Sequence, residues 1–118
     1  MLTLDEIHDE MRRLSRLLDA GITALTEYAH EYAKAENEYR LAKAKAYLDA
    51  EGAVAQKNAI ADLATGDERY AMRLSDGMRR ASVEAVRSRR QQLSAMQSAA
   101  AAWRAEAEYT RTGPREGP

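Results

Sequence analysis

Residues 4–50, LDEIHDEMRRLSRLLDAGITALTEYAHEYAKAENEYRLAKAKAYLDA, carry a single seam in which Ile7, Met11, Leu14, Leu18, Gly21, Leu25, Tyr28, Tyr32, Ala35, Tyr39, Ala42 and Ala46 recur at alternating steps of four and three. A 3.5-residue repeat held this long is the pattern of a helix that buries one narrow stripe against other helices. The fold class that follows is all-α. Thr3 is placed to cap the helix, with Glu6 three residues on to complete a capping box, and Asp5 and Glu6 suit the positive end of the helix dipole. Such a helix would run about 70 Å at 1.5 Å per residue. Gly21 is its weak point, yet the heptad phase passes straight through it.

Glu51-Gly52-Ala53 reads as the turn, because a glycine just past a helix can take the left-handed conformation that closes it. From about residue 54 to 109 the helical signal resumes. Its broad apolar face comprises Ile60, Leu63, Ala71, Leu74, Met78, Ala81, Ala85, Leu93, Met96, Ala100, Trp103 and Ala107. Two long helices around a glycine turn predict a single-domain antiparallel hairpin over residues 1–111, coiled-coil-like, in which position i lies near position 104 − i and Met78 meets Leu25. Thr65-Gly66-Asp67-Glu68 offers a second capping box and hence a kink or break near 66. Residues 112–118, TGPREGP, are expected to be a disordered tail. A lone hairpin leaves the flanks of both stripes wet, so a dimer or tetramer forming a larger helical bundle is the expected remedy.

The composition fits a helical interaction protein. Cys and Phe are absent, and the two Pro both fall in the last five residues. No disulfide framework or cysteine zinc site is possible. No apolar run approaches the roughly 20 residues that span a bilayer, and the first residues are acidic and amphipathic, so no membrane partner and a cytoplasmic location are expected. The net charge of −1 conceals an asymmetry: residues 1–68 hold 8 Lys/Arg against 14 Asp/Glu, and residues 69–118 hold 10 against 5. The halves attract, which suits an acidic helix folded on a basic one or a basic surface for nucleic acid.

Arg69, Arg73, Arg80 and Arg87 share one helical face with Arg79 and Arg90 on its flank, a stripe able to follow a phosphate backbone. Asp76 and Glu84 interleave with them at i,i+3 or i,i+4, the mark of an internally paired face. Arg89 occupies a core-facing slot between Ala85 and Leu93, and Asp67 another. A buried charge needs a counter-charge, and the expected register brings Ser15 and Asp19 near Arg89, giving Asp19, Asp67 and Arg89 a register-fixing role. Glu27-Tyr28-Ala29-His30 matches the Glu-x-x-His spacing of di-metal bundles, with Asp5-Glu6-Ile7-His8 a looser echo. Both lie on the first helix, however, so no metal or cofactor is expected. Ser82, Ser88, Ser94 and Ser98 have no His or Lys base at helical spacing, and no catalytic residue is assigned.

The run Glu84 to Gln97, EAVRSRRQQLSAMQ, followed by AAAAWRAEAEYTRTGP, resembles a group of short helical proteins of unknown function encoded by tailed bacteriophages and prophages. The upstream segments EYRLAKAKAYLDAEG and ADLATGDERY share the likeness, which covers roughly residues 35 to 114. Such genes often sit near recombination and replication functions. The resemblance implies a non-enzymatic accessory that contacts DNA or a recombination protein through the Arg-rich second helix. Two further readings stand beside it: an assembly protein such as a scaffold or chaperone, and an inhibitor of a host nuclease or defence protein presenting the acidic first helix.

Overall fold

A computed structural model describes residues 2–112 as three helices, α1 Leu4–Asp49, α2 Val54–Ala64 and α3 Gly66–Thr112, with no strand among the described residues. α3 takes in Thr112, the first residue of the expected tail; the rest of that segment lies outside the described residues. At the start of α1 the Glu6 amide donates to Thr3 Oγ1 at 3.1 Å, and the Thr3 hydroxyl donates to Glu6 Oε1 at 3.1 Å. α1 passes Gly21 unbroken. A Cβ built there would stand 3.4 Å from Cγ2 of the buried Val86, an ordinary contact distance, so the side chain of Val86 packs beside this stretch of α1.

α1 ends in the expected turn. Gly52 has φ 111°, and in α2 the side chain of Gln56 reaches back so that the Ala53 amide donates to its Oε1 at 3.3 Å. An added methyl at Gly52 would be strained in this backbone region and would collide with that Gln56 side chain. Gly52→Ala is therefore expected to cost roughly 1–2 kcal/mol in a urea melt. A midpoint unchanged from wild type would show that the turn relaxes freely.

The stretch read as one helix from 54 to 109 is divided at Thr65. This residue is 2% exposed, and both its amide (3.1 Å) and its hydroxyl (2.7 Å) donate to the Ala61 carbonyl while its own carbonyl accepts from the Arg69 amide at 3.0 Å. Thr65 thus closes α2 and opens α3 at once. Its hydroxyl points backward, so the expected capping box with Glu68 gives way to a C-terminal cap on α2.

The chain forms two compact units. One joins α1 up to Ile22 with α3 from Ala85 onward; Ile7, Leu14, Val86 and Ala100 are its buried apolar residues. There Arg104 Nη2 lies 2.9 Å from His8 Nε2. An arginine can only donate, so in this contact the imidazole nitrogen is the acceptor. The other unit is Thr23–Glu84, and the residues it buries are Ala61, Thr65 and Ser82.

All twelve seam positions of α1 are buried or half-buried. On the partner side the expected face needs correction. The sheltered stripe is Ala61, Thr65, Glu68, Met72, Ser75, Arg79, Ser82, Val86, Arg89, Leu93, Met96 and Ala100, a 4-3 repeat as regular as that of α1. It coincides with the expected face only from Leu93 to Ala100. Upstream it lies one residue further on, a rotation of about 100°, and leaves Ile60, Leu63, Ala71, Leu74, Met78 and Ala81 exposed. Met78 therefore does not face Leu25. The physical reason is the tyrosine run of α1: the Arg79 guanidinium sits 5.1 Å over the Tyr32 ring and that of Arg69 6.0 Å over Tyr39. Aromatic faces favour cations, and phenol hydroxyls need polar neighbours that Leu and Met cannot supply.

Candidate functional site

The six arginines read as a phosphate-tracking stripe divide into two groups. Arg79 donates to Asp76 Oδ1 at 2.7 Å, and Arg80 Nε stands 3.0 Å from Asp76 Oδ2, so one carboxylate holds two bases. Arg69 is tied to Asp62, donating to its backbone carbonyl at 2.7 Å with its side-chain carboxylate at 3.7 Å. Arg73, Arg87 and Arg90 are exposed, and Arg73 and Arg90 carry no ion pair among the described residues. The face is thus partly neutralised by its own acids, as the interleaving of Asp76 anticipated.

A polar cluster that sequence reading did not assemble joins all three helices of the Thr23–Glu84 unit. Lys43 of α1 reaches Asp62 of α2 at 3.2 Å, and Arg69 of α3 closes on the same aspartate beside the Tyr39 ring. Hydrogen bonding from Arg69, with the Lys43 charge adding to it, holds the Tyr39 phenol below its ordinary value. Hydrogen bonding to Asp62 raises Lys43. Tyr32 moves the other way because it bonds to the Glu36 carboxylate, which resists a second negative charge. The stability contribution of Tyr39 is full above its unfolded pKa and is lost as pH falls through the folded one. That of Tyr32 is full below its unfolded pKa and is lost as pH rises through the folded one. In an alkaline titration of phenolate absorbance, Tyr39→Phe should delay the onset and Tyr32→Phe should remove the last part. An onset unmoved by Tyr39→Phe would refute the Arg69 contact.

Of the register residues, Arg89 is half-buried in the sheltered stripe and donates to Gln92 Oε1 of its own helix at 3.2 Å. Asp19 is exposed on α1. Asp67 is exposed as well, and its neighbour Glu68 takes the sheltered slot instead. Glu68 Oε2 is the one buried side-chain oxygen without a hydrogen-bond partner among the described residues. The one-residue rotation accounts for this exchange.

Glu27 and His30 are both exposed, and no group of three or more His, Cys, Asp or Glu is placed to hold a metal among the described residues. Ser82 is buried, whereas Ser88, Ser94 and Ser98 are exposed. No helix among the described residues is long and apolar enough to cross a membrane. In the terminal unit a hollow of about 310 Å³ is lined by Leu2, Ile7, Ala99, Ala102, Trp103 and Glu106. With one carboxylate among apolar walls it can shelter an apolar group but assembles no acid–base pair.

The surface feature missed in the sequence is the set of large apolar residues on the exposed surface of the Thr23–Glu84 unit. Leu63 (86%), Leu48 (77%), Tyr70 (68%) and Leu74 (52%) are exposed, with Leu41, Val54, Ile60 and Met78. That unit buries small and hydroxyl side chains and turns Leu41, Leu48, Leu63 and Leu74 outward while Leu25 stays half-buried, the reverse of a self-sufficient core. The signal was available as a second 4-3 repeat, Asp67, Ala71, Leu74, Met78, Ala81 and Ala85, one residue behind the sheltered one. No protein-family model, no curated protein and no solved structure matches the chain.

Proposed function

We propose that this chain is a non-enzymatic helical assembly protein. α1 and the α2–α3 segment form a coiled-coil-like antiparallel hairpin, and the outward stripe of α3 engages a helix of another chain to build an oligomeric bundle. The observation that carries the reading is the inversion in the Thr23–Glu84 unit, where Ala61, Thr65 and Ser82 are buried while Leu63, Leu74 and Met78 are exposed. Contacts within the Thr23–Glu84 unit support the hairpin: as α1 numbers rise from Tyr32 through Tyr39 to Lys43, their partners fall from Arg79 through Arg69 to Asp62. Leu74 and Met78 are exposed in the single chain, so a Leu74→Glu, Met78→Glu double variant should keep its helical circular dichroism. It would place unpaired carboxylates in the docking face and weaken association at least about a hundredfold in sedimentation equilibrium. A wild-type mass equal to one chain, or a variant associating as wild type does, would overturn the reading.

A second reading, an accessory to DNA recombination or replication, draws on Arg73 and Arg90, exposed and outside the ion pairs, with exposed Arg87 on the same helix. It requires anisotropy of labelled DNA that falls steeply with salt, since each neutralised phosphate releases counterions. No binding at low salt would remove it.

A further inference from the structure

The outward stripe of α3 has a symmetry that identifies what covers it. Ala71, Leu74, Met78 and Ala81 are spaced by three, four and three, all four are exposed, and the stripe reads small-large-large-small from either end. A second copy running in the opposite direction presents the same steps. Leu74 then meets the partner's Met78 and Ala71 meets the partner's Ala81, which is the layer pattern of two antiparallel helices packed knobs-into-holes.

The edge of the stripe repeats this relation. The sheltered seam through Met72, Ser75, Arg79 and Ser82 borders one side, and the exposed positions Tyr70, Arg73, Gly77, Arg80 and Glu84 border the other. In the antiparallel arrangement Gly77 crosses the partner's Gly77. A Cβ built on Gly77 meets nothing within 4 Å, so no contact inside the chain calls for glycine in this helix interior, whereas a close crossing of two backbones does. Tyr70 falls opposite the partner's Glu84, an acceptor for its hydroxyl, and Arg73 lies one turn along from that carboxylate. Arg73 also faces the partner's Arg80, but each Arg80 already has Asp76 at 3.0 Å. Opposed helix dipoles favour the same direction.

We infer that the stripe is covered by a second copy of this chain, α3 against α3 and antiparallel, with the two-fold axis beside Gly77. This rests on the assembly reading above and adds the partner and its direction.

The chain has no cysteine, so single introduced thiols report on one position each. Full-length Gly77→Cys, Ala71→Cys and Ala81→Cys proteins are treated with a short bis-maleimide at a concentration where the wild type associates. Ala71→Cys and Ala81→Cys are treated alone and after mixing with subunit exchange. Gly77→Cys should link to itself and the mixture should link, whereas Ala71→Cys alone should not, its two thiols lying about 15 Å apart along the axis. If a thiol at 77 crowds the crossing, the mixing test decides by itself. Self-linking of Ala71→Cys and of Ala81→Cys without added product on mixing would show parallel pairing and overturn the inference. Absence of any link in a chain that still associates would overturn it too. Both outcomes leave the assembly reading standing, which fails only if the wild type has the mass of one chain or the Leu74→Glu, Met78→Glu variant associates normally.

Discussion

Leu14→Ala should cost about 3 kcal/mol, the loss expected when a fully buried leucine is truncated and its site only partly collapses. Leu14 is 1% exposed and sits on the α1 seam one heptad after Ile7, in the unit where Val86 and Ala100 are also buried. Few large side chains are buried among the described residues, so each one carries a large share of the apolar stabilisation. Few neighbours are at hand to refill the space. The total stability of a domain is about 5–15 kcal/mol, so the change should be plain in a urea melt followed by helical circular dichroism. Protein concentration must be held fixed, because association adds to apparent stability by mass action. Leu63→Ala is the internal comparison: at 86% exposed it should stay within about 0.5 kcal/mol at a concentration where the chain is single. A loss below 1 kcal/mol at Leu14 would mean that the α1 seam does not carry the fold.

The α1 seam was readable because apolar residues of one sign repeat without interruption, and the structure shelters each of them. The turn at Gly52 was readable for a related reason, since a positive φ calls for glycine. The sheltered face of α3 was not readable in the same way. A search for apolar periodicity selects Leu74 and Met78 and passes over Ser75 and Arg79, yet the latter two are the sheltered ones, with Arg79 over the Tyr32 ring of α1. Two 4-3 repeats lie side by side on α3, and choosing between them requires knowing that the opposing surface is aromatic and hydroxylated. Asp67 and Glu68 exchanged places for the same reason. The acids interleaved with the arginine stripe were legible in the sequence, and Asp76 among them pairs with Arg79 and Arg80. That Arg69 and Lys43 would converge on Asp62 depended on the break at Thr65, which sets α2 apart from α3. A local pattern finds elements and turns; it does not decide which of two stripes a neighbouring helix selects.

Ala61→Leu tests that selection most directly and should cost about 2–3 kcal/mol. Ala61 is fully buried in the 11-residue α2, and its carbonyl accepts both the amide and the hydroxyl of Thr65. A leucine adds three carbons where the packing leaves no opening, and overpacking of a filled site costs about 1–3 kcal/mol. The upper part of that range is expected because α2 is too short to hold its shape alone and would have to shift as a piece. Such a shift would strain the Thr65 junction and pull Asp62 from Lys43, so amides of α2 and the first turn of α3 should lose hydrogen-exchange protection before those of α1. The neighbouring change gives the opposite control. Ile60 is 44% exposed, and in the single chain Ile60→Ala should cost less than about 1 kcal/mol although it removes more apolar surface than any change at Ala61 could. If the apolar face read from the sequence were the packed one, the order would invert, with Ile60→Ala severe and Ala61→Leu mild. The ranking of these two variants therefore measures the one-residue rotation itself, on which the outward leucine stripe and its proposed partner depend.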